Sequence, residues 1–234
     1  MPPPEAAALA EAAAAMGVHL DAVTADRLLQ YRDLLARWNR VYNLTAVRDP
    51  AEMRVQHLLD SLSIVRPIDR WAQSRERPDL HLLDVGSGGG LPGVVLAIVR
   101  PDWRVVSVDT VAKKAGFVRQ VALELGLPGL EAVHARVESL APQAADLIVS
   151  RAFASLADFV GLTRPHLAEG GAWAAMKGRR PDDEIAALGN DTDVFHVEPL
   201  QVPGLDAERH LIWMRPPQKP GDSAIRSTPS LRPS

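Results

Sequence analysis

The sequence predicts an α/β fold: a mostly parallel, seven-stranded sheet closed by an antiparallel hairpin, with helices ahead of it. Three observations carry that prediction. From residue 80 onward short apolar runs alternate with helical periodicity, as expected when βα units wind helices onto both faces of a sheet. The first run, LHLLDVG, leads straight into SGGGLPG, a glycine-rich turn where such sheets bind their ligands. The last two runs, DVFHVEPLQV and ERHLIWMR, are separated by PGLDA and read as an antiparallel hairpin.

Taken in order, residues 1–17 are Ala-rich behind a Pro run and read as a marginal helix or a frayed tail. From Thr24, a candidate cap, Leu28, Tyr31, Leu35, Trp38 and Tyr42 recur at helical spacing. Asp49 followed by Pro50 marks a second helix start, with Val55, Leu58, Leu59, Leu62 and Val65 on its apolar face. The polar stretch 66–79 reads as a boundary. Beyond it come the strands LHLLDVG, WRVVSVD, GLEAVHA, ADLIVSRA and AWAAMKG. Between them fall a helix from Pro92 to about Val99, one over 111–125 ended by Gly126, and one reaching about Leu167 with Gly170 and Gly171 beyond it. The division expected is an extension over 1–20, a helical segment over 21–70, a sheet domain over 78–216 and a disordered Pro- and Ser-rich tail over 217–234.

Composition narrows the chemistry. There is no Cys, which removes disulfides, thiolate metal sites and Cys nucleophiles together and fits a reducing cytoplasm. The N-terminus has no basic region before its Ala run and does not read as a secretory signal. No run approaches a membrane span. The net charge of −3 gives no global sign of nucleic-acid binding, so such a function must rest on local basic patches. We expect a cytoplasmic monomer with no membrane and no metal.

Gly86, Gly88, Gly89, Gly90 and Gly93 crowd the turn after the first strand. One glycine serves a tight turn; five suggest a ligand lying against the backbone. Read from Gly88, the stretch matches the dinucleotide fingerprint G-x-G-x-x-G. Read from Asp84 it is D-x-G-x-G-x-G, and an acid at the strand end suits the ammonium of an amino-acid moiety better than a pyrophosphate. S-adenosylmethionine has an ammonium, a sulfonium and no phosphate. Asp109, ending the second strand, can accept both ribose hydroxyls or cap the next helix. The closing hairpin marks the methyltransferase version of this sheet and decides between the cofactors: the fold class is Rossmann-like, class I, S-adenosylmethionine-dependent.

The blocks WNRVYNLTAVRDPAEMRVQHLLDSL, LLDVGSGGGLPG, ARVESL and SRAFASL resemble the RsmG (GidB) methyltransferases, and the resemblance spans about residues 24–215. It implies transfer of a methyl group from S-adenosylmethionine, leaving S-adenosylhomocysteine, to N7 of one guanine in 16S rRNA or a small-subunit precursor particle. It also implies cofactor contacts at Gly86 and Leu91 in the turn, at Asp109 for the ribose, at Val137 and Glu138 for the adenine, and at Arg151; the turn itself adds Asp84, Ser87, Gly88 and Gly90 as candidates.

Residue chemistry is compatible with that target. Guanine N7 has a lone pair and no proton to lose, so positioning suffices and no general base is required. Cytosine C5 methylation needs a Cys, and exocyclic amine methylation usually brings an Asn- or Asp-Pro-Pro-aromatic motif where this chain has SRAFAS. Arg151 and Phe153 are candidates to hold guanine O6 or a phosphate and to stack on the base, although a Phe here also suits a core. Candidate RNA contacts are Lys113, Lys114 and Arg119 in VAKKAGFVR, and Lys177, Arg179 and Arg180 in KGRR. The helical segment adds Arg32, Arg37, Arg40, Arg48 and Arg54, while Asn43, Thr45, His57 and Asp60 are either structural or RNA-facing. The alternatives are a small-molecule or protein methyltransferase on the same sheet and a non-catalytic nucleotide-binding regulator.

Overall fold

A computed structural model of the chain describes residues 4–151, 153 and 155–217. The tail expected to be disordered lies, from residue 218, outside the described residues.

The Ala-rich start is neither marginal nor frayed. It is helix α1 (Pro4–Ala15), with Ala6, Leu9 and Ala13 buried against α2 (Ala22–Tyr42). Tertiary packing of this narrow apolar stripe supplies what helix propensity alone does not, and Glu5 pairs with Arg32 across the junction. The cap of α2 is Asp21, not Thr24: its Oδ1 accepts the Thr24 N–H at 2.7 Å. At the other end Asn43 turns the chain with φ of 49°.

Asp49 caps α3 (Pro50–Met53) as expected, accepting the N–H groups of Ala51 and Glu52. The helix runs on through a π-helical stretch, Arg54–Leu59, into α4 (Asp60–Leu62). The polar segment read as a boundary holds α5 (Val65–Ser74). Its charged residues hide a face made by Val65, Ile68, Trp71 and Ala72, and Pro67 sits in the first turn, where no helical donor is lost. Trp71 stacks on Trp213 with centroids 6.0 Å apart, fastening the helical segment to the sheet.

The sheet has the seven strands expected: β1 (His81–Val85), β2 (Arg104–Asp109), β3 (Leu130–His134), β4 (Ala145–Arg151), β5 (Leu167–Lys177), β6 (Asp193–Leu200) and β7 (Arg209–Arg215). Their order is β3-β2-β1-β4-β5-β7-β6, and only β7 runs antiparallel to its neighbours. Helices α6 (Gly93–Val99) and α7 (Ala112–Glu124) share one face with the N-terminal helices in a single apolar cluster, while α8 (Leu156–Thr163) packs on the other. The short α9 (Asp182–Ala186) follows β5. Helix α8 stops at Thr163, a 3-10 turn follows, and β5 starts at Leu167. Gly170 and Gly171 therefore lie inside a strand rather than beyond a helix. There β4 and β5 slip register, and a Cβ on Gly171 would stand 2.9 Å from the Asp146 carbonyl oxygen.

Leu9 is fully buried. Leu9→Ala should cost about 2–4 kcal/mol of unfolding free energy in urea titration; an unchanged midpoint would mean that α1 does not dock in solution.

Candidate active site

Strand order reverses between β1 and β4, so the helices that follow them leave toward opposite faces and open a crevice at their carboxyl ends. The glycine turn forms one wall of the crevice and the segment after β4 forms another.

Three side chains and one backbone carbonyl fix the turn. Gly86 and Ser87 donate their N–H groups to the Val108 carbonyl at 2.9 and 3.2 Å. Gly88 N–H goes to Asp109 Oδ2 at 2.9 Å, and Gly93 N–H to Asp84 Oδ2 at 2.9 Å. From α2, the Tyr31 hydroxyl donates to the Gly89 carbonyl at 2.5 Å. The five glycines then divide. Gly89, Gly90 and Gly93 are buried, and a Cβ on them would lie 2.9 Å from Leu35 Cδ1, 2.4 Å from Val94 Cγ2 and 2.5 Å from Asp84 Oδ2. The protein itself presses on these three, so the expectation that a ligand explains all five is too broad. Gly86 and Gly88 differ: their φ values are +73° and +59°, and the nearest atom to an added Cβ is at 3.7 and 4.0 Å. These two present bare backbone on the open side.

Gly86 borders a cavity of about 360 Å³; Gly88 is not among its lining residues. Gly86, Asp109, Val137, Glu138 and Phe153 line it, five of the residues singled out in the sequence for this site, and Lys114 lines it beside them. Val85, Val108 and Val111 add apolar wall, and Thr110, Ala135, Arg136 and Leu162 also line it and were not foreseen; among these four only Leu162, a large apolar side chain 37 % exposed on a helix, is an anomaly by itself. Asp109 uses Oδ1 for the Val111 N–H at 2.8 Å and stands 3.9 Å from Lys114 Nζ. It therefore both braces the turn into α7 and faces the cavity, so the two roles set against each other in the sequence coexist.

Other expected residues lie elsewhere. Ser87, Gly90 and Leu91 are buried within the turn. Asp84 is wholly buried beneath it, not on its open face; burial, with Asp109 adding to it, pushes its carboxyl up to about 7 against the opposing pull of Gly93 N–H and Arg151. The expectation of an acid in direct contact with an ammonium is thereby corrected, because Asp84 does not reach the open face. Arg151 lines a neighbouring cavity whose common wall is Phe153. It donates to the Gln56 carbonyl at 2.9 Å and to Asp60 Oδ2 at 3.2 Å. His57 shares a hydrogen bond with Thr45 Oγ1 at 2.9 Å, and burial, then Arg151, push its pKa down to about 4, so it is neutral near pH 7. Thr45, His57 and Asp60 thus point inward, and Asn43 serves as the cap of α2.

The basic candidates also separate. Lys113 and Arg179 are exposed. Lys114 turns toward Asp109, and Arg119 donates to the Ala132 carbonyl on the outer strand at 2.9 Å. Lys177 is held by both oxygens of Glu184 at 2.9 and 2.8 Å, and Arg180 by Asp182 at 2.6 Å. Arg32 is committed to Glu5 and Asp33. KGRR as a free cationic loop is thereby corrected: the acids of DDE, two residues on, neutralise two of its three charges.

The family model described as rRNA small subunit methyltransferase G matches residues 24–212. The chain is 61% identical over 213 residues to the ribosomal RNA small subunit methyltransferase G of Leptothrix cholodnii, covering 91% of this chain and 96% of that protein. It is 58% identical over 206 residues to the protein of the same name from Methylibium petroleiphilum, covering 88% and 92%. Among solved structures it is similar in fold to TrmN from Thermus thermophilus, with a TM-score of 0.53, 21% identity and coverage of 70% and 53%. A SAM-dependent methyltransferase from Aquifex aeolicus gives 0.50, 16% identity and coverage of 71% and 98%. With this sheet order, this crevice and relatives matching along nearly their whole length, the chain belongs to the rRNA small subunit methyltransferase G family.

Proposed function

We propose that the protein transfers a methyl group from S-adenosylmethionine to N7 of a single guanine in 16S rRNA, presented free or in a small-subunit precursor particle. The observation that carries this reading is the pairing of a nucleoside-sized cavity, with an acid at the end of β2, and an aromatic wall that it shares with a second, arginine-lined cavity. The family membership and the names of its relatives supply the nucleic-acid target.

The residues present fit the cofactor. Bare backbone at Gly86, which lines the cavity, admits the nucleoside, where a side chain would stand in its way. Each Asp109 oxygen accepts one N–H and keeps a lone pair for a ribose hydroxyl. Val137 and Glu138 flank the adenine position, with Leu162 as an apolar cover. When bound, the cofactor would supply a methyl carbon activated by sulfonium, an electrophile that a guanine N7 lone pair could take up without losing a proton. Phe153 stacks on the guanine, and Arg151 holds its O6 edge. No residue has to remove a proton, and His57, kept neutral by its surroundings, is buried and hydrogen-bonded to Thr45. Lys113 and Arg179 are the rim cations we assign to RNA phosphates. The reading places the protein in the cytoplasm as a monomer; no helix among the described residues is long and apolar enough to cross a membrane.

Asp109→Asn should weaken S-adenosylmethionine binding by about 1.5–3 kcal/mol in calorimetry, the worth of hydrogen bonds to a charged acceptor. Unchanged affinity with a lower melting temperature would reduce Asp109 to a brace for the turn. With both substrates saturating, the single-turnover rate should stay flat between about pH 6.5 and 8.5, because no proton is transferred. Cofactor affinity should instead rise as pH passes about 7, where Asp84 ionises and its negative charge attracts the ammonium and sulfonium; Asp84→Asn should remove that rise. A steep limb in the rate itself would point to a different target atom. Arg179→Ala should lower the slope of log K for RNA against log [salt] by about one unit. Adding Lys177→Ala and Arg180→Ala should lower it by less than one further unit, since Glu184 and Asp182 already hold those cations. A drop of two to three units, about one per phosphate contact, would mean that both ion pairs open on RNA.

A further inference from the structure

The second cavity, of about 370 Å³, contains a charge cluster that fold stability alone does not require. Asp60, with a side chain 2% exposed, holds two guanidinium groups at once: Oδ1 accepts Arg209 Nε at 2.7 Å, and Oδ2 accepts Arg151 Nη1 at 3.2 Å. Desolvating one acid and two cations together is costly, and replacing such clusters with apolar groups is often neutral or stabilising. The three residues come from α4, β4 and β7, and Arg209 is 149 residues from Asp60.

The bonds that build the cluster leave donors over. A guanidinium has five N–H groups. Arg151 spends Nη1 on Asp60 and Gln56, and Arg209 spends Nε on Asp60 and Nη1 on the Glu208 carbonyl. Nη2 of both arginines and Nε of Arg151 have no protein partner among the described residues. Both side chains line the cavity and are about a quarter exposed, at 23% and 24%. Apolar surface comes from Met176 and from Phe153, which is also part of the cofactor cavity. Two fixed fans of donors beside an aromatic face suit a flat ring with an acceptor on its edge. Stacking on Phe153 needs a free ring face, so the base must leave its stack.

We propose that this cavity receives the extruded guanine, and that Arg209 acts with Arg151 to hold its O6 while Asp60 fixes both guanidiniums. Engaging O6 leaves the N7 lone pair beside it open to the methyl carbon. The proposal rests on the guanine-N7 reading and adds to it a substrate-holding residue, Arg209, and a positioning residue, Asp60.

The test uses the full chain with ¹³C-methyl methionine, S-adenosylhomocysteine, and guanosine 5′-monophosphate as probe, with cytidine 5′-monophosphate as control. The Met176 methyl resonance, assigned through Met176→Leu, should shift with the guanosine nucleotide and not with the cytidine one, and Arg209→Met should remove the shift. In parallel, single-turnover methylation of small subunits from cells lacking the gene should fall about 10–100-fold in Arg209→Met, the worth of a lost donor pair to guanine. Affinity for S-adenosylmethionine should stay within about twofold, as for changes away from a site. Arg209→Lys, which keeps a cation beside Asp60, controls for folding: it should melt like the wild type yet lose most of the rate. No Met176 shift, a rate within about threefold of wild type, or cofactor affinity falling in step with the rate would each overturn the proposal, the last by giving the cavity to the cofactor. A guanosine-specific shift in a wild-type protein that forms no 7-methylguanine would overturn the N7 reading and leave the cavity standing.

Discussion

Asp109 accepts the Gly88 N–H with one carboxylate oxygen and the Val111 N–H with the other. That pair of bonds ties the turn after β1 to the start of α7 and lets a nearly buried acid remain at the rim of a cavity, since a carboxylate withdrawn from water must be hydrogen-bonded. The turn can reach Asp109 only if it bends through positive φ at Gly86 and Gly88. It can stay there only if it is held from behind, and α2 does this with the Tyr31 hydroxyl on the Gly89 carbonyl and the Leu35 side chain against Gly89 itself. Burial pushes the Tyr31 hydroxyl pKa far up, so it remains a donor throughout the physiological range.

The N-terminal helices are therefore part of the site. Helix α2 sets the back of the glycine turn, and the π-helical stretch Arg54–Leu59 with the start of α4 brings His57 and Asp60 to the second cavity. A π-helical insertion shifts the residues beyond it relative to an unbroken helix, and such insertions favour functional sites. Here the shift coincides with the point where one acid must meet two arginines from distant strands. The two cavities meet at Phe153, which also touches the α8 side through Phe159 at 5.7 Å between centroids. A ring in that position can serve both core packing and base stacking, the two roles left open by the sequence.

What was legible in the sequence was local. The strand pattern, the closing hairpin, the turn and the acids at the ends of the first two strands follow from periodicity and spacing within a few residues. The division of the glycines was not legible, because whether a Cβ meets Leu35 or open space depends on a helix that packs from some fifty residues upstream. Helix α5 was masked by its charged residues, although Ile68 and Trp71 carry the helical spacing that buries it. The neutralised KGRR loop could have been foreseen: Asp182, Asp183 and Glu184 follow it after a single Pro. Arg209 could not, since its meaning comes only from Asp60 at the other end of the chain.

The central claim is that one guanine of 16S rRNA receives a methyl group on N7. Mass-spectrometric mapping of 16S rRNA from cells with and without the gene tests it most directly. The account predicts one 7-methylguanine that disappears with the gene and returns when the intact gene is restored. An unchanged set of methylated bases, or loss of a methyl group from any atom other than guanine N7, would contradict it.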